Sequence, residues 1–292
     1  MVEWLVGYLK ANFHPSVLSR GYGRRSRGFR LLTEQDDALQ VGDEPLQIFQ
    51  RFGAEVPVAV AENRALGIVE LMLQKPETNL IILDDAYQHR SVRPDIQILL
   101  TDFWRLFTRD TLLPTGNLRE PKKGAQRADM VVVTKCSMDI SKANMHDITA
   151  EIRRTAGKDL PVYFATLSYD ELQPFDLQKV HTHPPFSRVI AVSGLANSKA
   201  FHQYLSSKFD LVQILDFPDH YRYQIKDFQY LSKLSKSLNA AIVCTSKDAV
   251  KWQSKEFFKL AKELPAYVLP VKHQFIGVDF GQEIDKLLMS LR

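Results

Sequence analysis

Short apolar runs alternate along this chain with longer stretches of helical periodicity. Apolar positions recur at three- and four-residue spacing over residues 2–13, 63–75, 147–157, 198–208, 225–238 and 282–291, which predicts helices with one buried face. Between them, apolar runs predict strands at 17–19, 57–61, 80–83, 96–100, 130–134, 162–165, 189–192, 211–215, 241–245 and 267–271. Strand and helix in turn argue for βαβ units, so the predicted class is layered α/β with parallel sheets. Residues 169–187 hold three prolines and little periodicity and read as a linker. The expected division is an N-terminal domain over 1–168 and a smaller α/β domain over 188–292, with a ligand site in a cleft between them. His181 and His183 fall in the linker, beside Pro184 and Pro185, and are assigned no role.

Composition narrows the picture modestly. A chain of 292 residues with 45% hydrophobic and 25% charged content can build two cores of ordinary size. The formal charge of +4 suits anionic ligands or an anionic membrane face. The arginines of residues 20–30 are spaced by glycines rather than interleaved with aromatics, so no nucleic-acid partner is expected. Cys136 and Cys244 form no C-x-x-C pair, which suggests neither a disulfide framework nor a zinc site and fits a reducing compartment. No signal peptide is read, and no apolar stretch reaches the length of about 18 residues that a spanning helix needs.

The richest segment is NLIILDDAYQHR at 79–90, an apolar strand that ends in two adjacent carboxylates. Asp84 and Asp85 sit where parallel strands deliver catalytic groups, and a divalent cation bridging nucleotide phosphates would relieve their mutual repulsion. The plain alternative is a solvated acidic turn. Gln88 and His89 follow on what reads as a strand-to-helix turn, as phosphate or sugar contacts or as capping residues. Asp43, in VGDEP at 41–45, has the position of a helix N-cap, with Pro45 in the first turn. Arg119, in GNLREP, is a planar fork suited to phosphate or to a surface ion pair. Arg20, Tyr22 and Arg24 occupy a glycine-relaxed loop after a strand, a place for phosphate or base contacts or for a solvated turn. Thr245 to Asp248 has the spacing of a guanine-reading T-K-x-D element, but guanine specificity is not assigned. Phe103 to Phe107 reads as core, or as a surface that touches lipid.

SVLSRGYGR (16–24), VGDEP, DDAYQHR and DFPDHYRY (216–223) together resemble the tetraacyldisaccharide 4'-kinases of lipid A assembly. GNLREP (116–121), VVVTK (131–135), AVSGLANSKAF (191–201) and TSKDAVK (245–251) extend the likeness, in order, over nearly the whole chain. The resemblance implies a P-loop NTPase-like fold and ATP with Mg²⁺. The implied substrate is an acylated glucosamine disaccharide 1-phosphate, met peripherally at the cytoplasmic face of the inner membrane. It implies that Asp43 accepts the proton of the sugar 4'-hydroxyl together with His220, and that Asp84 and Asp85 serve the metal. Arg20, Tyr22, Gln88 and Arg119 would then contact nucleotide or phosphate. One departure stands out: the family carries a GGTGKTP phosphate loop before the helix that here reads MVEWLVGYLK, and this sequence begins at that helix. The expectation is a chain inactive as written. The alternatives are an inactive binding remnant and a Mg²⁺-dependent sugar-handling enzyme such as a glycosyltransferase.

Overall fold

The computed structural model describes residues 1–176 and 186–291. The chain opens with α1 (Val2–Leu9), β1 (Pro15–Ser19), β2 (Arg30–Leu31), α2 (Ala38–Val41), α3 (Asp43–Phe52), β3 (Val58–Val60), α4 (Arg64–Gln74) and β4 (Leu80–Leu83). It continues with β5 (Ile98–Asp102), a 3-10 turn (Lys122–Arg127), β6 (Met130–Thr134), α5 (Lys142–Ala156), β7 (Val162–Tyr169) and β8 (Gln173–Pro174). Next come β9 (Arg188–Ser193), α6 (Lys199–Lys208), β10 (Asp210–Asp216), α7 (Ile225–Leu238) and β11 (Ala241–Thr245). The last are α8 (Ser246–Trp252), α9 (Phe258–Lys262), β12 (Ala266–Leu269), β13 (Val271–Phe275) and α10 (Phe280–Met289).

β4, β6, β11 and α7 have the bounds that periodicity predicts. The run predicted at 267–271 is two strands, β12 and β13, in different sheets. Pro270 separates them, because a residue without an N–H cannot continue a ladder. The helix expected after β4 does not form: residues 84–97 are turns and bends. This segment has no 3.6-residue apolar period, and Pro94 disfavours helix in the residue before it.

Two compact units form, one from Met1–Ala11, Leu83–Ser168 and Lys272–Arg292, the other from Asn12–Ile82 and Tyr169–Val271. They interleave along the chain, where sequence spacing predicts the consecutive blocks 1–168 and 188–292. Parallel strands explain the difference, since a strand's neighbour in the sheet is reached by a crossover and need not be next in sequence. Part of the predicted linker, with His181 and His183, lies outside the described residues.

The first unit holds the sheet β13-β7-β6-β5, with β5, β6 and β7 parallel. Every residue of β6 is buried, as a strand covered on both faces requires. Helix α5 buries Ile148, Ile152 and Ala156, one face at four-residue spacing, in a core with Val131, Val133, Phe164 and Leu106. Ser141 caps its first turn, and Gly157, with φ of 69°, ends it. Trp4 of α1 packs edge-on against Phe275 and Phe280, and Tyr8 Oη donates to Asp285 at 2.7 Å.

The second unit holds two sheets, β2-β3-β1-β4 and β10-β9-β11-β12-β8. β1 and β3 run parallel with β2 antiparallel at the edge; β10, β9, β11 and β12 run parallel with β8 antiparallel. Strand β9 sends Ile190 and Val192 into one core with Phe228, Leu231 and Trp252, and Val189 and Ala191 into another with Phe201 and Leu205. That two-residue alternation places α7 and α8 on one face and α6 on the other, which is layered α/β architecture.

Two features set the loops at the strand ends. Asp248 of α8 is wholly buried and accepts hydrogen bonds from Gly194 N at 2.9 Å, Thr245 Oγ1 at 2.6 Å and Tyr223 Oη at 3.0 Å. The loop after β1 meets the turn before α3 backbone to backbone: Gly21 and Gly42 have φ of 69° and 94°. A Cβ on Gly21 would stand 2.5 Å from the Val41 carbonyl oxygen, whereas one on Gly23, with φ of 73°, meets nothing within 4 Å. Gly23→Ala is therefore expected to cost about 1 kcal/mol, from left-handed strain alone. Gly21→Ala adds a backbone clash and should cost upwards of about 2 kcal/mol, the difference being read by urea denaturation. Asp248→Ala leaves three donors facing a cavity and should cost about 3–5 kcal/mol in the same measurement.

Candidate active site

In the second unit, Gly42 occupies the N-cap of α3 and makes no side-chain cap, so Asp43 is the first helical residue and not the cap that its spacing suggests. Its side chain is 9% exposed, and Oδ2 lies 3.0 Å from His220 Nδ1. These residues are 177 apart in sequence. An ionised carboxylate only accepts, so Nδ1 is the donor in this contact, and Nε2 lies 3.8 Å from Asp219 Oδ2. His220 itself has φ of 58°, an unfavourable conformation for a residue with a Cβ. Its backbone N–H donates to Asp219 Oδ1 at 3.0 Å, and the Tyr22 ring lies 5.5 Å from its imidazole.

Helix α8 supplies the surrounding charge. Lys247 Nζ donates to Asp219 Oδ1 at 2.8 Å and lies 3.9 Å from Asp43 Oδ2; Lys251 Nζ lies 3.8 Å from the same Asp43 oxygen. Burial disfavours the charge on Asp219, but the Lys247 hydrogen bond and charge outweigh it and hold the carboxyl below the usual carboxylate range. Burial likewise works against the Lys247 ammonium, yet its bond to Asp219 and the charges of Asp43, Asp219 and Glu44 raise its pKa above the ordinary value. Neither lysine was a candidate on sequence. Their spacing of four residues, on a helix begun by Thr245, places them on one face and is the signal that could have found them. The guanine-reading alternative for Thr245 to Asp248 fails, because Asp248 is buried and its oxygens are committed to the protein.

Of the loop at 19–24, Arg20 is exposed and Tyr22 is 69% exposed. Arg24 instead folds inward, pairing with Glu62 at 2.6 Å and donating to Ser26 and to the Gly28 carbonyl, so it closes its own loop.

In the first unit, Asp84 and Asp85 follow β4, with Asp85 at φ of 45°. Asp85 Oδ2 accepts from Arg119 at 2.8 Å, and both side chains are more than half exposed. The loop is fixed behind them: Tyr87 Oη donates to the Gly124 carbonyl at 2.9 Å, and Arg127 bonds the Tyr87 carbonyl and Glu120. Burial pushes the Tyr87 hydroxyl up to about 12. Gln88 is exposed, and His89 Nδ1 pairs with Ser91 Oγ at 2.9 Å. Leu106 is buried in a core against which Phe103 and Phe107 pack, whereas Trp104 is 73% exposed.

Among the described residues, no group of three or more His, Cys, Asp or Glu side chains could enclose a metal ion. An open pair of carboxylates still fits Mg²⁺, which keeps several waters and completes its octahedron with substrate phosphates. The exposed Arg119–Asp85 pair costs little to open, leaving Asp85 able to exchange partners. Among the described residues, no helix is long and apolar enough to cross a membrane.

The chain is 37% identical over 277 residues to the tetraacyldisaccharide 4'-kinase of Flavobacterium johnsoniae, covering 94% of this chain and 78% of that protein. It is 38% identical over 264 residues to the enzyme of the same name from Bacteroides thetaiotaomicron, covering 85% and 69%. A solved structure described as the "apo" form of LpxK from Aquifex aeolicus in complex with ATP superposes with a TM-score of 0.70 at 25% identity. That match covers 99% of this chain and 82% of the other, and the shared fold is that of a P-loop kinase. The family model for tetraacyldisaccharide-1-P 4'-kinase matches residues 1–289. With conserved order and fold over almost its full length, the chain belongs to the tetraacyldisaccharide-1-P 4'-kinase family.

Proposed function

We propose that the chain moves the ATP γ-phosphoryl group to the sugar 4'-hydroxyl, with Asp43 and His220 of the second unit serving the hydroxyl. Family membership makes the chain a kinase of lipid A biosynthesis acting on a lipid disaccharide phosphate. Phosphoryl transfer passes through a loose transition state, so its protein requirements are positioning, charge neutralisation and a proton acceptor. His220 is the more exposed member of the Asp43 pair, and its Nε2 takes the hydroxyl proton while Asp43 holds Nδ1–H and balances the imidazolium charge. The hydroxyl oxygen forms its bond to the γ-phosphorus as the bond from that phosphorus to the β–γ bridging oxygen breaks, and ADP leaves with the electron pair. The observation that carries this reading is the 3.0 Å Asp43–His220 contact.

In the first unit, Asp84 and Asp85 hold Mg²⁺, which when bound neutralises phosphate charge. Arg119 turns its fork from Asp85 to a phosphate. Arg20, Tyr22 and Gln88, all exposed, contact the nucleotide or the sugar. Contact with the inner membrane is peripheral, on its cytoplasmic face, and the exposed Trp104 and Leu113 suit a lipid surface.

The assay is transfer from labelled ATP to tetraacyldisaccharide 1-phosphate, with the chain as it stands and with a GGTGKTP-bearing segment joined ahead of it. Label at the 4' position is the expected product, and its absence with both forms would overturn the reading. In the active form, Asp43→Ala should lower kcat at least about a hundredfold with nucleotide affinity nearly unchanged, since the carboxylate supports His220 only as the imidazole takes the hydroxyl proton. A variant defective only in melting temperature would reduce Asp43 to a structural residue. Asp84→Ala and Asp85→Ala should each lower kcat by about a hundredfold or more and weaken Mg²⁺-dependent nucleotide binding in calorimetry. Turnover like that of the unaltered protein in either variant would remove the metal assignment.

A further inference from the structure

Lys251 is a buried charge to which the reaction assigns no role. Its side chain is 10% exposed, and its ammonium nitrogen is buried without a hydrogen bond. Instead it stands 3.8 Å from two carboxylate oxygens, Asp43 Oδ2 and Asp248 Oδ1. A buried ammonium without hydrogen bonds is costly and persists where it offsets a larger cost. Here that cost is two carboxylates, one 9% exposed and the other wholly buried.

We propose that Lys251 is a positioning residue for the proton-accepting pair, clamping Asp43 to the anchored Asp248 so that the carboxylate stays against His220. The proposal rests on the reading of Asp43 and His220 as that pair. Within 4 Å of the Asp43 carboxylate stand His220 from the segment after β10 and Lys247 and Lys251 from α8, while Asp219 pairs with His220 and Lys247, and Glu44 with Lys247. Lys247 is already engaged by Asp219 at 2.8 Å, so Lys251 is the lysine whose charge is divided between Asp43 and the buried interior. Asp248 in turn is held by Gly194 N, Thr245 and Tyr223, so the clamp ends on a fixed point. Without the ammonium, Asp43 loses its tether and its nearest buried counter-charge. The imidazole beside it then sees a more negative surrounding and keeps a second proton to higher pH.

The test needs a readout that a merely structural lysine would not move. Diethyl pyrocarbonate modifies an imidazole only in its neutral form, and peptide mass spectrometry follows His220 alone in the intact chain. In Lys251→Met, the pH at which His220 modification reaches half its maximal rate should rise by about half a unit or more, and Lys251→Arg should return it. Lys251→Gln serves the same purpose if the methionine variant does not fold. In the active form, the acidic limb of kcat/KM should move upward with it, while KM for ATP stays within about twofold. A modification profile unchanged in both neutral variants overturns the proposal, even if their melting temperatures fall. The underlying reading fails separately: if His220→Gln keeps full transfer to the 4' position, the pair is not the proton acceptor, and the modification profile still decides whether Lys251 sets its charge.

Discussion

A carboxylate with no access to water must be met by donors from the protein, and Asp248 is that carboxylate here. Its donors come from the residue after β9, from the end of β11 and from the segment after β10. One buried charge therefore gathers the ends of neighbouring parallel strands, and His220 lies on a segment pinned at Tyr223. The strong burial of Tyr223, followed by the Asp248 charge, pushes its hydroxyl well above the ordinary tyrosine value, so it remains a donor throughout the pH range of life. The position of the imidazole is thus set by an interaction that takes no part in the chemistry.

The two sets of site residues follow opposite electrostatic designs. Asp43 is nearly buried at the N-terminus of α3, where the helix dipole favours an anion, with two lysines within 4 Å. Its field is arranged in advance and costs nothing to reorganise when a proton arrives. Asp85 and Arg119 are exposed and hold each other only loosely, in a pair that water and salt compete with. A pair of that kind suits a ligand that comes and goes, because each partner can be traded for a metal ion or a phosphate.

Much of this was legible in the residues. Apolar runs without polar alternation gave β6 and β11 their bounds, because strands buried on both faces favour apolar side chains at successive positions. Pairing of Asp43 with His220 was reachable only through family resemblance, since no local pattern connects residues 177 apart. Asp43 read as a cap because N-cap and first helical residue differ by one position, and Gly42 at φ of 94° takes the cap without a side chain. TSKDAVK has the spacing of a base reader, whereas its aspartate is spent on the interior, Lys247 on Asp219 and Lys251 between Asp43 and Asp248. The interleaved units were illegible for a topological reason, as which strands become neighbours is decided by crossovers between distant segments.

The left-handed backbone of His220 carries a consequence for anyone seeking a sturdier version of this protein. At φ of 58° the chain would rest more easily on glycine or asparagine, by something like 1–2 kcal/mol. Screening for thermal tolerance alone would reward those replacements and discard the imidazole with them. Position 220 thus sits against the preference of its own backbone, and its imidazole would be lost to any selection that weighs stability alone.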